Sequence, residues 1–344
     1  MDGMETRRTL LVDAFTDEPL AGNVAGVVPD ATGLSDGQMR RIAAELGASE
    51  TAFVFDAESA GDGADERIRY FTPTTEVDLC GHATIATYAA LHEEDAIDAG
   101  DRTLRTNVGE LSITVDDDGD GTVWMRQRPP TVDTVDAAAA VDAVSDGPED
   151  RPPLDADRLG DALGIDPAAL RDIGADLPVA VASTGLPWLV VPVNFLERLG
   201  EAEPDMAAVE AISEAYGVAG IYAFTFDTLD AESTLHGRAF APAVGVAEDP
   251  VTGTASGAVG GYLRAVGAFD GDLPETMRFE QGHYVDRPGH VRVRVGGETG
   301  ADDDSVAIGG RAVVSLDGDL RVPDGGSGDG GDSSEGGEDG IIEA

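Results

Sequence analysis

The sequence predicts a mixed α/β protein of the α+β type, built from two similar domains. Three observations lead to this prediction. Short apolar runs with strand-like composition alternate with stretches of helical spacing along most of the chain. Two short motifs recur in the same order about half a chain apart. The 344 residues, of which 42% are hydrophobic, are enough for about two packed domains.

In the first half, one helix carries clear start and stop signals. Ser35 stands where an N-cap is expected, apolar residues follow at helical spacing, and Gly47 ends the pattern. A second helix is predicted over 80–92, where small and apolar residues follow a polar loop. The apolar, β-branched runs around these helices predict strands at 9–15, 24–28, 51–55, 67–71, 111–115 and 123–128.

The second half repeats this mixture after a stretch rich in Ala, Asp and Pro. That stretch predicts a linker over 132–150, between an N-terminal domain at 1–131 and a C-terminal domain at 151–322. Residues 323–344 are rich in Gly and acids and contain no basic residue, which predicts a disordered tail. The C-terminal domain has predicted helices at 155–163, 206–216 and 250–266, and predicted strands at 179–182, 188–193, 220–225, 235–240, 291–295 and 312–316.

Two motif pairs indicate that the second half repeats the first. An R-x-F-x-P strand motif begins at Arg69 and again at Arg238, 169 residues later. A G-x-A-[ST]-x-A helix motif begins at Gly81 and again at Gly253, 172 residues later. Because both motifs occur in the same order at nearly the same spacing, duplication is favoured over coincidence, and a loop absorbs the three-residue difference.

The start of each repeated helix is a candidate anion site. Asp249 and Pro250 fit the N-cap and first-turn positions of the second helix. The backbone N–H groups of a first turn favour negative charge, so two helix starts that face one cleft would bind a carboxylate without a cationic side chain. Ordinary capping with no ligand is the alternative that the caps alone leave open.

Charge and composition exclude several classes of function. The chain has 67 acidic and 22 basic residues, a net charge of −45 at pH 7, and every basic residue is Arg. Without Lys there is no Schiff-base enzyme and no Walker A loop. An acidic chain of this kind is a poor partner for nucleic acid or anionic membranes. Because the acids are spread along the whole chain, they indicate a halophilic cytoplasmic protein rather than one acidic docking surface.

Cysteine and histidine usage predicts no metal site. The single cysteine, Cys80, excludes disulfides within the chain and a Cys-based structural zinc site. The five His are spread along the sequence without a ligand-spaced pair, which disfavours a metal-dependent enzyme. The polar N-terminus shows no signal peptide, and three prolines interrupt the most apolar run, so no membrane span is expected.

Several segments, taken in chain order, carry a resemblance to a known family. They are V-D-A-F-T (12–16) with G-N (22–23), S-E-T-A-F-V (49–54), F-T-P (71–73) with C-G-H-A-T (80–84), S-T-G-L-P-W (183–188), E-D-P-V-T-G-T-A (248–255) and E-Q-G (280–282). Together they resemble the PhzF family, the phenazine-biosynthesis-like isomerases of the diaminopimelate epimerase-like fold. The resemblance implies two pseudo-symmetric domains, each a mostly antiparallel sheet wrapped around a central helix, and a homodimer.

The resemblance also implies a reaction and a set of site residues. The implied reaction is isomerisation without a cofactor, in which a proton moves on a small cyclic or unsaturated carboxylic acid. Glu50 is the implied catalytic acid and base, with His82 and Asp249 beside it in catalysis. The substrate-binding residues that go with this assignment are Asn23, Cys80, Gly81, Gly253 and Thr254.

Two other functions stay open. Related racemases and epimerases use a pair of cysteines, and Cys80 has no counterpart in the second half. A two-thiol mechanism is therefore unavailable, although an epimerase-like or racemase-like enzyme without the thiol pair is an alternative. The other alternative is a non-catalytic protein that binds a small acid. Such a protein would have no reason to place the Glu50 carboxylate in a cleft.

Overall fold

The computed structural model describes residues 5–56, 63–117, 119–135, 153–171, 173, 177–296 and 305–323. Tertiary contacts divide the chain into two units. Unit 1 holds the described residues within 5–20, 24–125 and 311–323, and unit 2 holds those within 21–23 and 126–310. The predicted tail beyond Pro323 and most of the predicted linker lie outside the described residues.

Within these described ranges the chain forms eighteen strands and six α-helices. The strands are β1 (Glu5–Ala14), β2 (Asn23–Val28), β3 (Thr51–Phe55), β4 (Glu66–Phe71), β5 (Glu76–Val77), β6 (Gly100–Thr106), β7 (Gly109–Val115), β8 (Val123–Gln127), β9 (Thr131–Thr134), β10 (Ala180–Ser183), β11 (Pro187–Pro192), β12 (Ile221–Thr225), β13 (Leu235–Ala241), β14 (Val246–Asp249), β15 (Met277–Gln281), β16 (Gly289–Val295), β17 (Val306–Gly310) and β18 (Ala312–Val322). The helices are α1 (Asp36–Leu46), α2 (Gly81–Glu93), α3 (Ala156–Leu163), α4 (Leu196–Gly200), α5 (Met206–Tyr216) and α6 (Gly253–Ala265). None of these helices combines the length and the apolar character that crossing a membrane requires.

The two units repeat one topology. In unit 1 the strand order is β18-β1-β2-β3-β4-β6-β7-β8, and β5 pairs with β4. In unit 2 the order is β9-β10-β11-β12-β13-β15-β16-β17, and β14 pairs with β13. Corresponding pairs also run in the same sense, since β2–β3 and β4–β6 are parallel, as are β11–β12 and β13–β15. Most other pairs are antiparallel, so the predicted mixed fold with a repeated domain is confirmed.

A buried helix lies at the centre of each sheet. Residues 81–91 of α2 and 253–263 of α6 are all buried. Helix α2 contacts β1, β3, β7 and β18, and α6 contacts β9, β10, β11, β16 and β17, so each sheet surrounds its helix. Small residues make this possible, because a Cβ on Gly257 would lie only 1.8 Å from Gln127 Oε1. A helix enclosed in this way has no solvated face, and the buried hydroxyls of Thr84, Thr87 and Ser256 donate to backbone carbonyls one turn earlier.

The repeated strand motif builds the same ion pair in both units. In unit 1, Arg69 donates two hydrogen bonds to the Glu76 carboxylate, at 2.7 and 2.5 Å. In unit 2, Arg238 donates two to Glu248, at 2.9 and 2.8 Å. Each guanidinium also lies over the ring of the Phe two residues further on. The acid follows the arginine by seven residues in unit 1 and by ten in unit 2, which accounts for the three-residue difference in repeat spacing.

The units do not follow the predicted domain boundaries at 1–131 and 151–322. Strand β18, predicted to close the second domain, pairs antiparallel with β1 and belongs to unit 1. Strand β9 lies largely within the predicted linker over 132–150, yet it pairs with β10 in unit 2. One edge strand of each sheet thus comes from a segment that was predicted to lie outside that domain. The sequence pattern of a strand does not identify the strand with which it pairs.

Candidate active site

Three of the predicted site residues form one buried group in unit 1. Glu50 immediately precedes β3, Cys80 is the N-cap residue of α2, and His82 lies in the first turn of that helix. Their exposed fractions are 3%, 0% and 0%, respectively. Because α2 packs against β3, residues far apart in the chain become neighbours, and their ligand atoms all lie within 4.8 Å of one another.

His82 lies between the other two side chains. Its Nε2 is 3.7 Å from Glu50 Oε2, and its Nδ1 is 3.4 Å from Cys80 Sγ. The hydroxyl of Ser49 is 3.5 Å from the same Nε2. The distance to Glu50 is longer than a hydrogen bond, and Glu50 Oε2 is a buried oxygen with no hydrogen-bond partner among the described residues. A buried acceptor without a hydrogen-bond partner lowers the stability of the fold, so a purely structural role does not explain the position of this oxygen.

The backbone at Glu50 is held by the neighbouring strand β2. The N–H of Gly26 donates to the Glu50 carbonyl at 2.9 Å. A Cβ at position 26 would lie 2.5 Å from Thr51 Oγ1, so only glycine allows β2 and β3 to approach this closely. The position of the carboxylate is therefore set by strand pairing.

Other predicted residues form a second group in unit 2. The Asp249 carboxylate is buried and accepts hydrogen bonds from Asn23 Nδ2 at 2.9 Å and from Thr252 Oγ1 at 2.5 Å. Thr254 Oγ1 is also buried, and no hydrogen-bond partner for it lies within the described ranges. Helix α6 begins at Gly253 with Thr252 as N-cap, so the prediction that Asp249 caps this helix is wrong. Asp249 instead ends β14 and binds the residue that occupies the N-cap position.

The two central helices begin without side-chain caps. As far as the structure describes them, neither Cys80 nor Thr252 accepts a hydrogen bond from its own helix through its side chain. The first turns start at Gly81 and Gly253, and both residues are buried. The N–H groups and dipole of such a turn favour an anion.

Gln281 is a site residue that the sequence analysis missed. It is 1% exposed, its Nε2 donates to the Asp249 carbonyl at 2.7 Å, and its Oε1 accepts from the Thr252 N–H at 3.2 Å. Asn23 has a similar role, because its amide group donates to both Asp249 and the Val251 carbonyl. The E-Q-G motif containing Gln281 was visible in the sequence, but only the folded chain shows that this side chain contacts Asp249 and Thr252.

Three histidines gather around Glu280 in unit 2. Glu280 accepts hydrogen bonds from His236 Nδ1 at 2.8 Å and from two backbone N–H groups of the loop before β13. Burial raises the pKa of Glu280, but these hydrogen bonds outweigh it and hold the pKa at about 2. His290 pairs with Glu280 in the β15–β16 register, and the ring of His283 is 5.1 Å from that of His236. Strand pairing and a ring contact thus bring together three of the five histidines that are spread along the sequence.

This cluster predicts a loss of stability between pH 6.5 and pH 4. Burial, followed by the nearby Arg278, lowers the pKa of His290 from 6.5 to about 4. The unfolded chain therefore takes up this proton before the folded chain does, and the free energy of unfolding falls as the pH falls through the window. For a partly exposed ring we expect the contribution to be about 1–2 kcal/mol.

Urea unfolding above pH 6.5 and near pH 4 measures this effect. The variant His290→Gln should lose about that much of the pH dependence. His92→Gln, which changes a histidine outside the cluster, should keep the full pH dependence. An unchanged pH dependence in His290→Gln would show that this ring does not contribute.

Comparisons with known proteins place the chain in a family. The family model of PhzC-PhzF, the phenazine biosynthesis-like proteins, matches residues 12–318. An uncharacterized isomerase of Clostridium acetobutylicum is 33% identical over 314 residues, which cover 90% of this chain and 96% of the relative. A Bacillus anthracis phenazine biosynthesis protein of the PhzF family has a crystal structure that matches with a TM-score of 0.77 at 32% identity, covering 92% of this chain and 99% of that one.

A more distant likeness concerns the fold alone. The crystal structure of a hydroxyproline epimerase from Agrobacterium vitis matches with a TM-score of 0.54 at 16% identity, covering 92% of this chain and 91% of that one. The epimerase-like fold predicted from the sequence is thus confirmed. The chain belongs to the PhzC-PhzF family of phenazine biosynthesis-like proteins and is an isomerase.

Proposed function

We propose that the protein is a cofactor-independent isomerase that moves a proton on a small cyclic or unsaturated carboxylic acid. The buried carboxylate of Glu50 carries the proposal, since its Oε2 lacks a hydrogen-bond partner in the described structure and lies 3.7 Å from His82 Nε2. One carboxylate that reaches two carbon atoms can take a proton from the first and return it to the second. His82 stabilises the negative charge that develops meanwhile.

The remaining predicted residues are proposed to hold the substrate. Asp249 is oriented by its neighbours and contacts a polar group of the substrate, and Thr254 offers a buried hydroxyl without another partner in the described ranges. The N–H groups at Gly81 and Gly253 bind carboxylate oxygens. Cys80 contacts His82, and Asn23 donates a hydrogen bond to Asp249. We propose that Cys80 and Asn23 assist binding partly by orienting these two partners.

Exchange with solvent deuterium tests this function. Protein freed of metals by a chelator and dialysed is incubated in D₂O with a panel of small cyclic unsaturated carboxylic acids. We expect proton NMR to show deuterium entering carbon, and an isomer appearing, without any added cofactor. Methyl esters of the same acids are the matched control and should react poorly, because they lack the carboxylate. Exchange that requires an added cofactor, or that is equally fast with the esters, would contradict the proposal.

We also propose that the protein is a halophilic cytoplasmic homodimer, and the net charge of −45 makes the first part testable. The Debye length falls from about 10 Å at 0.1 M salt to about 3 Å at 1 M, so repulsion among the acids weakens. We expect the melting temperature to rise by about 10 °C between dilute buffer and molar KCl, which corresponds to about 7 kcal/mol for a chain of 344 residues. A melting temperature that stays constant or falls would argue against salt adaptation.

The homodimer is tested by light scattering in molar KCl, which should give twice the mass of one chain.

A further inference from the structure

We propose that Glu50, Cys80 and His82 form a binding site for a thiophilic divalent cation of the Zn²⁺ class. In the part of the chain that the structure describes, this is the one group of three or more His, Cys or acidic residues whose ligand atoms all lie within 4.8 Å of one another. A thiolate, an imidazole and a carboxylate are ligand types that bind zinc in proteins. The three residues share no ligand-spaced motif, so the sequence alone predicts no such site.

The distances within the group are close to those of a zinc site. Zinc bonds of about 2.0–2.3 Å place tetrahedral ligand atoms roughly 3.4–3.6 Å apart. His82 Nε2 is 3.7 Å from Glu50 Oε2 and 4.0 Å from Cys80 Sγ. The third pair, Glu50 and Cys80, has ligand atoms within 4.8 Å of each other. Rotations of the three side chains about their χ angles would bring all three atoms onto one ion. One cation can therefore bind without rearrangement of β3 or α2.

Charge balance also favours a divalent cation. On binding, the Cys80 thiol releases its proton to the buffer, and sulfur, nitrogen and oxygen each donate a lone pair to the metal. The thiolate and the Glu50 carboxylate together carry two negative charges, which the cation neutralises. Since all three residues are at least 97% buried, a neutral site avoids the cost of an uncompensated charge. Binding also provides a partner for Glu50 Oε2, which otherwise has none in the described structure.

A bound cation would block the proposed reaction. It would occupy the carboxylate lone pair that Glu50 needs to accept a proton, so zinc is expected to inhibit the isomerase reversibly. This consequence rests on the proposed function of Glu50, whereas the binding itself does not. Three protein ligands leave a fourth position open to water or to a substrate carboxylate.

Cobalt(II), a spectroscopic substitute for zinc, tests the site directly. Chelator-treated protein titrated with Co²⁺ should develop visible bands of tetrahedral cobalt and a thiolate-to-cobalt band in the near ultraviolet. Both should saturate at one cobalt per chain and disappear when Zn²⁺ is added. His92→Gln, which changes a histidine in the same helix outside the group, is the matched control and should behave like the wild type.

Variants of the three ligands decide the outcome. Cys80→Ser should lose the thiolate band and bind Zn²⁺ at least about 100-fold more weakly. If this variant does not fold, Glu50→Gln and His82→Asn should each keep the thiolate band while weakening binding by at least about tenfold. A wild-type protein without the thiolate band, or a Cys80→Ser variant that retains it, overturns the proposal. If cobalt binds but the metal-free protein exchanges no deuterium, the proposed function fails while the metal site stands. If the protein exchanges deuterium but binds no cobalt, the metal site fails while the proposed function stands.

Discussion

Substitution of Glu50 by Gln is expected to lower kcat/KM for deuterium exchange by at least about 1,000-fold, because the amide cannot accept a proton from carbon at neutral pH. The loss should appear in kcat rather than in KM, since Gln keeps the shape of the side chain. The folded state should tolerate the change. Glu50 Oε2 has no hydrogen bond to lose among the described residues, and the backbone at this position is held by Gly26.

The matched control is Glu45→Gln, which removes an exposed carboxylate from α1 in the same unit. It should leave both the exchange rate and the melting temperature within experimental error of the wild type. NMR of the exchange reaction and thermal unfolding of each variant measure the two quantities. Exchange at the wild-type rate in folded Glu50→Gln would remove this residue from the mechanism and shift attention to Cys80.

Substitution of Glu248 by Ala is expected to lower the free energy of unfolding by about 3–4 kcal/mol. The Arg238 side chain is only 7% exposed, so the change leaves a buried cation without its carboxylate. The guanidinium keeps its hydrogen bonds to the carbonyl groups of Leu199 and Ala202 and its contact with the Tyr284 ring. These contacts orient the cation but do not neutralise it.

The internal repeat supplies the control for this prediction. Glu76→Ala breaks the equivalent pair in unit 1, where Arg69 is 16% exposed, Glu76 is 28% exposed, and Asp36 also binds the guanidinium. Solvent and the second carboxylate reduce the expected loss to about 1 kcal/mol. Urea unfolding in molar salt measures both variants as shifts of the midpoint at constant slope. Equal losses at the two positions would show that burial does not determine the value of this ion pair.

Helices with complete local signals were predictable. Ser35 and Gly47 bound α1 as expected, and α5 occupies its predicted range of 206–216. Strand β6 (Gly100–Thr106) was missed because its sequence is mostly polar and its stability comes from pairing with β7 and β4. The short strands β5 and β14 were missed for a related reason, since each exists only as a partner of the motif strand beside it.

The candidate site also combines features that the sequence predicts with features that depend on tertiary contacts. Glu50, Cys80 and His82 could be named because they belong to motifs with a family resemblance. Their approach to within 4.8 Å, however, depends on the packing of α2 against β3. Gln281 and the histidines around Glu280 could not be assigned from the sequence, because their contacts cross between strands that are distant in the chain.

The sequence by itself determined the class of fold, the duplication, the absence of lysine chemistry and the residues on which a proton-transfer hypothesis rests. These properties depend on residue type and local spacing, which a linear chain displays directly. The tertiary structure alone decided that β18 completes the sheet of unit 1, that Thr252 rather than Asp249 occupies the N-cap position of α6, and that three separate residues form a candidate cation site. Each of these three features depends on strand pairing or packing between distant segments. Pairing and packing leave no periodic signal in the sequence.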